Sequence, residues 1–292
     1  SQLAAGLTPV GSYDWDISGL APGRHRLRAA YGNAGRAVTG EAVRDVIVHH
    51  GAQFHGGVLA ANETWGAGLL HVVSDDLTVP AGATLTLAAE ALVKVAEGRH
   101  IRVLPGGAIV SEGTAATPAV ITSLRDDARG GDDNADGTAT APAPGDWGGI
   151  VVEAGTVLPA ADSLVLLYGT REHAGELPAT VTWEAVNLHR IRDDVTVPAG
   201  KALTVAPGAV VRFDRHRAIW VTGSGRIDAI GALGAPITMT SLHDADGDAG
   251  VLGGPYAGHL PAAGDWQGVY FEPGSSGVLD RVHLRYGGGR YT

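Results

Sequence analysis

The residues best equipped for chemistry are the acidic ones in the stretch 125–147, RDDARGGDDNADGTATAPAPGDW. Within it, DDNADG places Asp132, Asn134 and Asp136 at alternate positions, followed by Gly137. Hard oxygen donors at every second residue, with a glycine for the sharp bend, are what Ca²⁺ coordination needs. The bidentate Glu that closes an EF-hand loop is missing, since Ala143 stands there, and no flanking helices are predicted. A second stretch, HDADGDAG (243–250), repeats the idea with Asp244, Asp246 and Asp248. Asp126 opens the first loop, and both loops close on Gly-Asp-Trp, which adds Asp146 and Asp265. The expected cofactor is therefore Ca²⁺, with Asp126, Asp132, Asn134, Asp136, Asp146, Asp244, Asp246, Asp248 and Asp265 as candidate ligands. Its affinity is expected to be weak, on the order of 10⁻⁴–10⁻³ M as in extracellular modules.

Other chemistry is thinly supplied. Carboxylate pairs occur at Asp75/Asp76, Asp126/Asp127 and Asp193/Asp194, and a glycosidase needs two carboxylates about 5–10 Å apart. The pair at 75 recurs at 193 just before a predicted strand, where a turn explains both copies. His49, His50 and His55 fit no standard metal spacing. No nucleophile elbow G-x-S-x-G and no phosphate-binding glycine loop is present. Trp147 and Trp266, which follow the candidate aspartates, read as pins that hold each loop down rather than as sugar platforms. The chain is expected not to be an enzyme.

These residues must be carried by a repeated scaffold. HGGVLAANETW (55–65) reappears as HAGELPATVTW 118 residues later, and DDLTVPAG (75–82) as DDVTVPAG. PAVITSLRD (118–126) likewise returns as PITMTSLHD. A long tandem repeat follows, with units 55–172 and 173–292 after a different segment, 1–54. Inside each unit short apolar triplets recur about eight residues apart, as in Leu77-Thr78-Val79, Leu85-Thr86-Leu87 and Ile101-Arg102-Val103. Their period of two is that of strands, and Gly/Pro turns separate them. Three short strands per roughly 24 residues match one turn of a parallel β-helix, with strands stacked about 4.8 Å apart. Leu77 should then lie under Ile101 and Leu85 under Ile109. The competing arrangement is an antiparallel sandwich, which would need Asn-Gly or Asp-Gly hairpin turns. The two Asp-Gly pairs in the units, at 136 and 246, both fall inside the acidic loops.

Composition agrees with an all-β chain rich in turns. It has 44 Gly and 15 Pro in 292 residues, 5% aromatic residues, and no Cys, which removes disulfide, zinc-thiolate and thiol chemistry. A net charge of −10 argues against a nucleic-acid partner. No apolar run reaches the roughly 18 residues of a membrane span, and no signal peptide is visible. The first residue is Ser and the single Met is Met239, so a processed chain or an excerpt is expected.

DLTVPAGATLTL, GAVVRF (208–213), PITMTSLHD and PGDWGGI (144–150) together resemble the right-handed parallel β-helix repeats, of pectate-lyase-like fold, in large secreted or surface-anchored bacterial proteins. The segment 13–50, with SGLAPGRHRLR, looks like the C-terminal half of a bacterial immunoglobulin-like module. The resemblance implies an extracellular or cell-surface setting and a non-catalytic rod: part of an adhesin, stalk or filament. The alternative it implies is a polysaccharide-binding or polysaccharide-cleaving β-helix, although the basic cluster that lyases use is missing. LRYGGGRYT (284–292) offers no capping helix, so further copies of the repeat, or another subunit, are expected to continue the rod end to end. Surface glycans are the other expected partner.

Overall fold

A computed structural model describes residues 20, 23–31, 40–48, 51–153, 159, 162–244 and 260–289. Among them there is no helix; the chain is all-β. β1 (Gly23–Tyr31) and β2 (Gly40–Val48) form an antiparallel ribbon in which Gly23 faces Val48 and Tyr31 faces Gly40. All later strands pair in parallel. The first series is β3 (Ala52–Val58), β4 (Glu63–Trp65), β5 (Leu70–Val79), β6 (Thr84–Leu87) and β7 (Leu92–Val95). It continues with β8 (Ile101–Val103), β9 (Ala108–Ser111), β10 (Ala119–Ser123), β11 (Ile150–Val152) and β12 (Leu164–Leu166). The second series opens with β13 (Thr170–Glu176), β14 (Val181–Trp183), β15 (Leu188–Val197), β16 (Ala202–Val205), β17 (Val210–Phe213) and β18 (Ala218–Val221). It ends with β19 (Arg226–Ile230), β20 (Ile237–Ser241), β21 (Gly268–Phe271), β22 (Ser276–Asp280) and β23 (Val282–Leu284).

The two series build the same sheet twice. One seven-stranded sheet runs β11-β8-β5-β7-β10-β12 with β3 on β5, and the other runs β21-β18-β15-β17-β20-β23 with β13 on β15. Smaller sheets, β4-β6-β9 and β14-β16-β19-β22, complete the set. Both large sheets are curled, because β5 and β15 change neighbours half-way along. Leu70–Val73 lie beside Leu92–Val95, whereas Leu77–Val79 lie beside Ile101–Val103. The expected registers are present: Leu77 pairs with Ile101 and Leu85 with Ile109. Parallel pairing excludes the antiparallel sandwich for this part of the chain. Asp75 and Asp76 sit at the bend inside β5 rather than before a strand. There Asp75 Oδ1 accepts the Asp76 N–H, and Asp76 Oδ1 accepts the His100 N–H from the next rung.

Alternation decides what fills the interior. In β6 and β8 the burial alternates residue by residue, with Leu85, Leu87, Ile101 and Val103 inside. Register then lines like upon like: Leu77, Ile101 and Ile150 form one column, and Val195, Ile219 and Val269 form its counterpart. Each such side chain contributes roughly 1.5–3 kcal/mol by leaving water. β7 breaks the alternation, since all four of its residues are buried. Its outward Leu92 packs with Leu70, Val72, Val120 and Leu124 in a second apolar cluster on the outside of the sheet. The acidic loop covers that cluster, as the approach of Gly130 to Leu92 and to the Lys94 stem shows.

The two series join rung on rung. The Thr170 N–H donates to the Trp147 carbonyl, the Gly145 N–H to Tyr168 and the Leu188 N–H to Gly169. The fit is tight: a Cβ on Gly169 would lie 2.7 Å from the Trp147 ring, and one on Gly149 would overlap the Thr170 carbonyl. At the last described rung the same kind of surface is open, with Leu284 57% and Phe271 43% exposed.

Candidate metal centre

The aspartates proposed from sequence fall into two groups. Asp126, Asp146, Asp244 and Asp265 are buried and bound by hydroxyls. Thr122 Oγ1 donates to Asp126 Oδ2 at 2.7 Å, and Thr240 Oγ1 to Asp244 Oδ2 at 2.6 Å. Ser123 Oγ donates to Asp146 Oδ2 and Ser241 Oγ to Asp265 Oδ2, both at 2.7 Å. The same two carboxylates accept the backbone N–H of Ala143 and Ala262. Each Thr-Ser pair at the end of β10 or β20 thus clamps both ends of its insertion. Beside each clamp a tryptophan is sealed in the core, with Trp147 Nε1 donating to the Leu167 carbonyl and Trp266 Nε1 to that of Arg285. Neither indole offers a face to a sugar.

The second group lies in the body of the first loop. Carboxylate oxygens of Asp127, Asp132 and Asp136 come within 4.8 Å of one another. That spread suits one Ca²⁺, whose ligands stand about 2.3–2.6 Å from the ion. The loop is folded by Asp132, which accepts the N–H groups of Asp136 and Gly137. Asp136 Oδ2 accepts from Asn134 Nδ2 at 2.8 Å and from the Thr140 hydroxyl, whose bond chiefly holds the Asp136 pKa below the ordinary carboxylate range. The opposite oxygens are the telling ones. Asp127 Oδ1, Asn134 Oδ1 and Asp136 Oδ1 are shut off from solvent and receive no hydrogen bond, as is Asp126 Oδ1. Buried acceptors without donors are costly unless a cation satisfies them. The donor set therefore fits a hard divalent ion. Asp127, which the spacing argument passed over, joins the group because the loop folds back on itself. Lys94, fully buried in β7, ties the loop down by donating to the Gly131 carbonyl at 2.7 Å and pairing with Asp133. Asp246 and Asp248 lie outside the described residues, as do His49 and His50.

Among the described residues His55 joins no metal-binding group. It stacks on Trp65 at 3.9 Å, and its Nε2 meets Nδ1 of His71 at 3.0 Å. The second series repeats this with His173, Trp183 and His189, where the nitrogens are 2.9 Å apart. His71 stands in the inward row with Val93 and Ile121, so each stack closes the interior at the start of a series. Sequence gave no sign of His71 and His189 beyond their place in the repeat. Since His189 Nε2 faces the Glu184 carbonyl, it carries the proton; Nδ1 must then accept, and His173 donates. Burial lowers the His189 pKa to about 4 and that of His173 well below the usual imidazole value, with Arg171 acting in the same direction on both.

No known protein family, curated protein or solved structure matches the chain.

Proposed function

We propose that this chain is a non-catalytic segment of a right-handed parallel β-helix rod belonging to an extracellular or surface protein of a bacterium. The observation that carries the reading is the joint between the two series. One repeat continues the ladder of the previous one, through Thr170 to Trp147 and Leu188 to Gly169, so length is added without changing the cross-section. Further copies of the repeat, or another subunit, extend the rod over the rung formed by β21, β22 and β23, whose Phe271 and Leu284 are exposed. An open edge of that kind favours pairing. The β1–β2 ribbon is read as part of an immunoglobulin-like module preceding the rod. Ca²⁺ is held by Asp127, Asp132, Asn134 and Asp136 and stiffens the loop over the outer apolar cluster. The clamping of Asp126, Asp146, Asp244 and Asp265 by hydroxyls supports structural rather than catalytic work for these carboxylates.

Sedimentation velocity over a hundred-fold concentration range, with electron microscopy of the same samples, tests the rod. End-to-end species of constant width are expected, and Leu284→Lys together with Phe271→Lys should suppress them. A monomer at every concentration, identical in wild type and variant, overturns end-to-end growth.

A further inference from the structure

The joint also contains a cleft of about 310 Å³, with Ile150, Val152, Leu166, Arg171, Glu172 and His173 in its lining. Thr170 is only 5% exposed and stands in the outer row with Leu188, on the face of β13 opposite to Arg171. Arg171, the next residue, makes no ion pair among the described residues. The residues 154–161 that follow β11 contain no acid. Its neighbours are treated differently: Arg190 pairs with Glu172 and Asp214, and Arg192 with Glu172. Loss of water around Arg171 lowers its pKa, but a guanidinium stays charged. A cation held in such a place calls for an anion.

We propose that this cleft binds a small organic carboxylate, its charge paired with Arg171 and its apolar body lying on Ile150, Val152 and Leu166. The planar guanidinium matches a carboxylate through two parallel N–H bonds. A phosphate dianion is disfavoured, because among the described residues of the lining Arg171 is the one cation without an ion pair, Glu172 lines the same cleft, and the protein carries a net charge of −10. The volume is at the small end of ligand sites. Nor is the site part of the repeated scaffold, since Ala52, Gln53 and Phe54 stand 118 residues earlier where Thr170, Arg171 and Glu172 stand here. The assignment stands independently of the rod reading.

Isothermal titration of the full chain at pH 7 with hexanoate, hexanol and inorganic phosphate tests it. Hexanoate should bind saturably at one site per chain, and hexanol and phosphate at least ten-fold more weakly. Arg171→Met should weaken hexanoate at least ten-fold and Arg171→Lys, which keeps the charge but not the two parallel N–H bonds, about five-fold, whereas Thr170→Val should leave it unchanged. Arg171→Lys keeps the charge and the length of the side chain, so its melting temperature should match wild type even if Arg171→Met folds poorly. Hexanol binding as well as hexanoate, phosphate displacing it, affinity unchanged in both Arg171 variants, or no saturable heat with hexanoate up to about 10 mM each overturns the assignment.

Discussion

The buried histidine pair predicts an acid-sensitive fold. His189 is 2% exposed and titrates near 4 in place of 6.5, because burial disfavours its charged form. Its two nitrogens are committed, one donating to the Glu184 carbonyl and one accepting from His173. Adding a proton would set two N–H groups against each other. With the folded value below the unfolded one, the unfolded chain takes up the proton first. Stability is thus complete above about pH 6.5 and is lost as the pH falls towards 4. At pH 5 this one group costs roughly 2 kcal/mol, rising to about 3 kcal/mol below pH 4. The test is guanidinium unfolding of wild type and His189→Gln at pH 7.5 and 5, followed by the fluorescence of Trp183, which is stacked on both rings. Glutamine keeps a donor and an acceptor but cannot titrate, so its loss between the two pH values should be smaller by roughly 2 kcal/mol. Carboxylates and the His55–His71 pair respond equally in both proteins and cancel. An identical loss in the two proteins would refute the reasoning.

Three further outcomes follow from the same contacts. Adding Ca²⁺ at ten times its dissociation constant should stabilise the chain by about 1.4 kcal/mol, or roughly 2–4 °C in a melting scan; Asp127→Asn and Asp136→Asn should each abolish the shift, and chelator should reverse it in wild type. Asp146→Ala strips the acceptor from Ser123 Oγ and the Ala143 N–H, so chemical denaturation should show a loss of about 2 kcal/mol, with Asp265→Ala equal within error. Lys94→Met should leave the denaturation midpoint within about 1 kcal/mol of wild type or raise it, since the side chain lies beside the apolar cluster and Asp133 is partly solvated, whereas Lys94→Ala, which opens a cavity, should lower it.

What was legible in sequence was whatever depends on local periodicity. The triplets at 77–79 and 101–103 gave both strand type and register, because side-chain direction alternates with period two and the spacing of rungs is constant. The same local logic misplaced Asp75 and Asp76, where a turn was expected and a continuous ten-residue strand bends instead. Covering could not be read at all. Lys94 looks like an outward, solvated residue of a strand, and only the folding of residues 130–133 across β7 buries it. The proposed metal group suffered from the same limit: alternation selected Asp132, Asn134 and Asp136, but Asp127 comes beside Asp132 and Asp136 through a loop closure that no spacing encodes. Arg171 was silent for a further reason, because its cleft arises only where the second series departs from the first.

The chemistry therefore concentrates where the rung length changes. Regular rungs are short: Leu77 to Ile101 is 24 residues and Leu70 to Leu92 is 22. Their interiors are filled by aliphatic columns. Between Ile101 and Ile150 the step is 49 residues, and between Ile219 and Val269 it is 50. The excess cannot enter the column; in the first series it leaves as the acidic loop, and the Thr-Ser-Asp contacts at the base are the same in both series. A parallel ladder fixes backbone pairing but leaves such excursions free in length and composition, because they load only the rung from which they depart. Substitutions in the columns should consequently alter stability with little effect on ion binding, while substitutions in the loop body should do the reverse. The clamps, which belong to both, are where the two properties are coupled.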